Sequence, residues 1–118
     1  MRISGPDLQL AARPALSLTL ALHELGTNAV KYGALSGAGV VEISWSLAGD
    51  EGAERFAFVW RERGGPEVAP PSRRGFGTRL IETVASEFGG AGRLAYEPTG
   101  VVWTVEAPLE RIVEPATA

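Results

Sequence analysis

Within "ALHELGTNAVKYGALS", Ala21 to Ser36, stand a histidine, a carboxylate, an amide and an ammonium: His23, Glu24, Asn28 and Lys31. On a helix, at 100° per residue, Glu24 and Asn28 lie about 40° apart, with Lys31 on the same flank. Asn is a poor helix former and needs a reason in mid-helix. An amide oxygen beside a carboxylate suits a hard cation such as Mg²⁺, which takes few protein ligands and keeps waters and phosphate oxygens. Lys31 then suits a phosphate. The plainer reading is a solvated helix surface with an i,i+4 polar pair, although such a surface ordinarily repeats Glu and Lys.

Two further stretches could meet a nucleotide. In "RGFGTRL", Gly75 and Gly77 precede a helical pattern, so the backbone could approach a ligand closely and the helix N-terminus could offer free N–H groups to a phosphate. Arg73, Arg74 and Arg79 raise the local positive charge. This is neither a P-loop nor a full G-x-G-x-x-G, and Gly-rich helix starts are common. In "WRERGGP", a strand pattern ends in Glu62 before Gly64 and Gly65. A carboxylate there can accept from an exocyclic amine such as adenine N6, and glycines would let a flat ring lie against the backbone. The alternative is an exposed Glu at a strand end, followed by a turn.

The elements that must position these residues are readable from periodicity. "RPALSLTLALHELGTNAVKYGA" predicts a helix with Pro14 in its first turn, a buried stripe of Leu18, Leu22, Leu25 and Ala29, and Gly33 as its C-cap. "VVEISWSLAG" and "RFAFVWRER" alternate with period two and predict a hairpin. Trp45, Trp60 and Trp103 fall on alternating strand positions and read as core. "GGPEVAPPSRRGFG" is a loop long enough to be functional. "TRLIETVASEF" predicts a second helix with Leu80, Ile81, Val84 and Phe88 inward, and "RLAYEP" with "VVWTVEAPL" a second hairpin. Residues 110–118 read as a loose tail. The order predicts one domain over residues 1–118: a two-layer α+β sandwich, its mixed and mostly antiparallel sheet covered on one face by helices.

Composition narrows the function. The chain has 118 residues, 45% of them hydrophobic and 21% charged, which suits one globular domain. It has no cysteine and a single histidine, which excludes thiolate chemistry and argues against a His-based zinc site. A formal charge of -3 argues against a nucleic-acid partner. No apolar run reaches the roughly 20 residues that span a bilayer, and the N-terminus lacks the layout of a signal peptide, so a soluble cytoplasmic protein is expected.

Taken in order, Glu24-x-x-x-Asn28, Glu62-x-Gly64 and Gly75-x-Gly77 resemble the N, G1 and G2 boxes of the Bergerat ATP-binding fold shared by gyrase, heat-shock ATPases, mismatch-repair ATPases and histidine kinases. More closely, "LALHELGTNAVKYGALS", "WRERGGP" and "GFGTRLI" resemble the catalytic and ATP-binding domain of the HWE family of sensor histidine kinases, named for an N-box histidine and a G1-box Trp-x-Glu, here His23, Trp60 and Glu62. The resemblance spans roughly Leu8 to Leu109. It implies ATP and Mg²⁺ as cofactors. Asn28 would ligate Mg²⁺, Lys31 would contact phosphate, and Glu24 would orient or polarise the attacking group. Glu62 would bond adenine N6, with Gly64 and Gly65 lining the base. Gly75, Gly77 and Thr78 would adjoin the phosphates at the end of a lid formed by Pro66 to Arg74.

By the same resemblance, the γ-phosphate would pass to a histidine on a separate dimerisation domain and then to a response regulator. No such domain precedes Met1, so an excised domain is expected, monomeric by itself and lacking its own acceptor. His23 is expected to orient Glu24 or to pack beside the site, with a direct proton-relay role as the alternative and the phosphoacceptor role disfavoured. Rival readings are an anti-sigma-type serine kinase of the same fold and a degenerate interaction module that has lost its nucleotide.

Overall fold

The computed structural model describes residues 1–50, 52–66, 76–98 and 100–113. Five strands and two α-helices follow one another as β1 (Arg2–Ser4), α1 (Ala12–Lys31), β2 (Val40–Ala48), β3 (Arg55–Arg63), α2 (Phe76–Phe88), β4 (Ala91–Glu97) and β5 (Gly100–Pro108). Short 3₁₀ turns cover Ala34–Ser36 and Leu109–Arg111. The sheet runs in the order β1-β2-β3-β5-β4, with β1 parallel to β2 and every other pairing antiparallel. The expected α+β architecture and mixed sheet are present.

The strand order follows from burial. β5 carries Trp103, Val105 and Ala107, each fully or almost fully buried, and it lies beside β3 in the sheet interior. β4 contributes Arg93 and Glu97 to solvent and takes the edge, where charged side chains discourage stray pairing. β2 and β3 alternate as their sequences require: Val41 and Ile43 are buried opposite exposed Ser44 and Ser46, and Phe56, Phe58 and Trp60 are all buried.

The core lies between this sheet face and the helices. Phe56 stacks at 6.4 Å on Phe58 and meets Phe88 of α2 at 6.0 Å, while Phe58 meets Trp103 edge-on at 5.4 Å. On α1 the buried stripe is Pro14, Ser17, Ala21, Leu25 and Ala29. This corrects the expected leucine stripe. Leu25 and Ala29 are buried, but Leu18 and Leu22 are its half-buried flank. Alanines at the contact line let α1 lie close to its neighbour α2, and the larger leucines fill the sides.

Three other expectations change. The C-cap of α1 is Tyr32 and not Gly33, whose φ of -110° lies outside the left-handed region. Trp45 is half-buried, and its indole N–H donates to the Pro6 carbonyl at 2.6 Å, which clips the N-terminal segment to β2. The tail expected to be loose from Glu110 is packed as far as Val113. Ile112 is fully buried, its carbonyl accepts from the Ala11 N–H at 2.8 Å, and Val113 bridges to Leu10. The chain end thus supplies a partner at the start of α1, where Ala11 offers no side-chain cap.

Phe88 is fully buried at the junction of α2 with β3. Phe88→Ala should lower the unfolding free energy by about 3–5 kcal/mol, read from urea denaturation as a lower midpoint at unchanged slope.

Candidate functional site

The outer flank of α1 carries the polar residues. Glu24 is half-buried, and His23, Asn28 and Lys31 are exposed. None of the four side chains has a hydrogen-bond or ion-pair partner among the described residues. Glu24 and Asn28 sit one turn apart beside the buried stripe, so the carboxylate and amide oxygens share one flank. His23 lies about 100° further round, on the solvent side, and the structure does not bring its ring to Glu24. The donor set on this flank, one carboxylate and one uncommitted amide with open space around them, fits a cation that keeps most of its waters. Among the described residues no cluster of three or more His, Cys, Asp or Glu side chains could hold a metal without such outside ligands.

The second part of the site is buried. Glu62 stands at the end of β3 on the same face as Phe56, Phe58 and Trp60 and is 2% exposed. Its Oε1 accepts from the Ala34 N–H at 3.0 Å, and its Oε2 accepts from the Trp60 Nε1–H at 3.1 Å. A carboxylate taken out of water must find such donors, and these charge-assisted bonds are among the stronger ones in a fold. The exposed strand end considered from the sequence is therefore not what forms.

The backbone around Glu62 is packed closely enough to exclude side chains. A Cβ on Gly33 would run into Glu62 Oε1, and one on Gly65 would run into the Ala34 main chain. Gly39 approaches the carbonyls of Ala34 and Arg63 so closely that a Cβ would lie 2.6 Å from each. Gly64 takes φ +74°, a conformation that suits glycine, and turns the chain out of β3. Gly64 and Gly65 therefore serve the junction that joins the end of β3 to the turn that follows α1. Gly77 and Thr78 belong to the first turn of α2. Gly75 and the expected lid from residue 67 onward lie outside the described residues.

Sequence reasoning assigned Trp60 to core packing and missed its tie to Glu62. The signal was present. Strand positions 56, 58, 60 and 62 share a face, so the Glu had to be as buried as the Trp beside it. The Ala34 amide could not be found this way, because the contact spans 28 positions.

No family model matches the chain. It is 43% identical over 117 residues to the blue-light-activated histidine kinase of Brucella ovis, covering 98% of this chain and 24% of that protein. The chain thus spans about a quarter of the length of the curated relatives it matches. Among solved structures, the histidine kinase domain of the Erythrobacter litoralis blue-light activated histidine kinase superposes with a TM-score of 0.74 at 19% identity, over 93% of this chain and 51% of that one. The histidine kinase domain of the E. coli osmosensor EnvZ superposes with a TM-score of 0.61 at 18% identity, over 99% of this chain and 77% of that one.

Trp60 and Trp103 are paired neighbours on β3 and β5, both 1% exposed or less, but the Trp103 indole nitrogen has no hydrogen-bond partner among the described residues. Trp60→Phe and Trp103→Phe each shrink one buried ring, but only the first strips a donor from a buried carboxylate. Trp60→Phe should therefore cost about 1–3 kcal/mol more than Trp103→Phe in chemical denaturation.

Proposed function

We propose that the chain is the catalytic domain of a histidine kinase, which binds Mg-ATP and transfers the γ-phosphate to a histidine on a separate dimerisation domain; its similarity to a blue-light-activated histidine kinase supports the reading. The observation that carries this reading is the split site itself. An unpartnered carboxylate–amide flank on α1 lies one short turn from a buried carboxylate at the end of β3.

Asn28 and the bound phosphates would hold Mg²⁺, which when bound draws off phosphate charge. Lys31, on the same flank, would add a point charge to the phosphates. Gly77 and Thr78 lie in the first turn of α2, and the partial positive charge of that helix end would suit the same anion. Glu62 would accept from the adenine amino group while Gly64 and Gly65 bound the base edge. Glu24 would orient the incoming imidazole and stabilise the positive charge that develops on it as its N–P bond forms and the bond from the γ-phosphorus to the leaving ADP oxygen breaks. Such positioning and charge stabilisation are most of what phosphoryl transfer asks of a protein. His23, exposed and turned away from the Glu24–Asn28 flank, is best placed to meet a group arriving from outside.

The acceptor would be the dimerisation domain of the parent kinase, and the phosphate would then pass to a response regulator. Among the described residues no helix is long and apolar enough to cross a membrane, and a cytoplasmic site of action is part of the same proposal.

Calorimetric titration with a non-hydrolysable ATP analogue tests the reading. Binding to the unaltered protein should depend on Mg²⁺. Asn28→Ala should weaken it by at least about tenfold and remove most of the Mg²⁺ dependence. Failure of the unaltered protein to bind the analogue at millimolar concentration would favour the degenerate-module reading.

A further inference from the structure

We propose that Trp60 is a positioning residue for the nucleotide site. With the Glu62 carboxylate and the Ala34 amide it forms a buried strut that fixes both the direction of the base-binding carboxylate and the height of the turn leaving α1. The inference rests on the nucleotide reading above and adds a specificity role for a tryptophan that makes no nucleotide contact.

The geometry is specific. The two oxygens of Glu62 are held from opposite elements, Oε2 by the indole two positions earlier on β3 and Oε1 by the first amide of the 3₁₀ turn after α1. With one donor on each oxygen, the carboxylate plane cannot rotate without breaking a bond. The lone pairs that remain point in fixed directions, which is what discrimination of an exocyclic amine from a carbonyl requires. The strut also acts through the backbone. The Gly33 N–H donates to the carbonyls of Asn28 at 3.1 Å and Ala29 at 3.2 Å, so the residue before Ala34 is bonded to the last turn of α1. Any shift of Glu62 therefore reaches the turn of helix that carries Asn28 and Lys31. The glycines at 33 and 65 leave no slack, since a Cβ on either would collide with this junction.

A donor–acceptor argument gives a test that packing alone would not satisfy. Glu62→Gln replaces two acceptor oxygens by one acceptor and one NH₂ donor. One of the two fixed donors, the Ala34 N–H or the Trp60 Nε1–H, must then face another donor. Adding Trp60→Phe removes that conflict, because the Gln oxygen can turn to Ala34 and its NH₂ into the place the indole N–H has left.

The experiment is a double-mutant cycle with Trp60→Phe, Glu62→Gln and the pair, with Trp103→Phe as the control for ring loss. The probes are ATP and ITP analogues with Mg²⁺, together with hydrogen exchange at the Ala34 amide by NMR. Trp60→Phe should speed Ala34 exchange by about tenfold or more and narrow the preference for the adenine analogue, while Trp103→Phe does neither. The pair should bind the adenine analogue at least about threefold more tightly than Glu62→Gln alone. Additive losses, or an Ala34 exchange rate and an adenine preference in Trp60→Phe equal to those of Trp103→Phe, would overturn the proposal. Absence of nucleotide binding in the unaltered protein would sink the nucleotide reading and the specificity role together. Ala34 exchange alone would then decide whether the strut exists.

Discussion

A carboxylate that is 2% exposed dictates much of the geometry at one end of this fold. A carboxyl group buried there needs hydrogen-bond partners, and the two it finds come from different places in the chain. Trp60 supplies one from the same strand, and Ala34 supplies the other from the turn after α1. Once both are engaged, β3, the end of α1 and the turn that follows must lie within contact distance. Glycine at 33, 39 and 65 is a consequence, because side chains there would occupy the space of the Glu62 carboxylate or of the neighbouring backbone. The start of β5 is drawn into the same corner, where a Cβ on Gly100 would collide with the Glu62 carbonyl.

The helix α1 has to serve two environments along its 20 residues. Its inner stripe is built from small residues, Ser17, Ala21 and Ala29, around Leu25, and the element it lies closest to is α2. On its polar flank Glu24 is half-buried while Asn28 and Lys31 remain open. The entrance to the helix is fixed independently, by the Ile112 carbonyl at the far end of the chain, so the position of the flank does not rest on local helix propensity.

The sequence carried most of the architecture because its signals are local. Period two in β2 and β3, and the Gly-bounded second helix, identify their elements without tertiary information. What escaped it was of two kinds. The inward face of α1 was read from leucines, but Ser17, Ala21 and Ala29 hold most of that face, so volume and not hydropathy decided which residues were innermost. The hydrogen-bonding partner of Glu62 escaped because an amide 28 positions away carries no side-chain signature. Ala34 looks like any other alanine in the sequence, and only the surrounding glycines hint that backbone groups meet there. The three motifs were read from residue types and order alone, and such a reading carries no packing: Gly65, expected to bound a flat ring, packs against the main chain of Ala34.

The length of the Glu62 side chain follows from the same geometry. An aspartate at this point would not reach as far. Aspartate is shorter by one methylene, about 1.5 Å of reach. From the end of β3 the longer side chain spans to a main-chain amide of another segment at 3.0 Å while its second oxygen stays 3.1 Å from an indole on its own strand. Drawn back by a methylene, a carboxylate on this backbone could keep at most one of those bonds at hydrogen-bonding distance. A phenylalanine in place of Trp60 would leave the second oxygen buried without a donor. The tryptophan and the glutamate thus make sense as a pair: the extra reach of one is useful only if the other holds what it reaches with. Trp-x-Glu is then a structural unit, with both side chains on one face of β3.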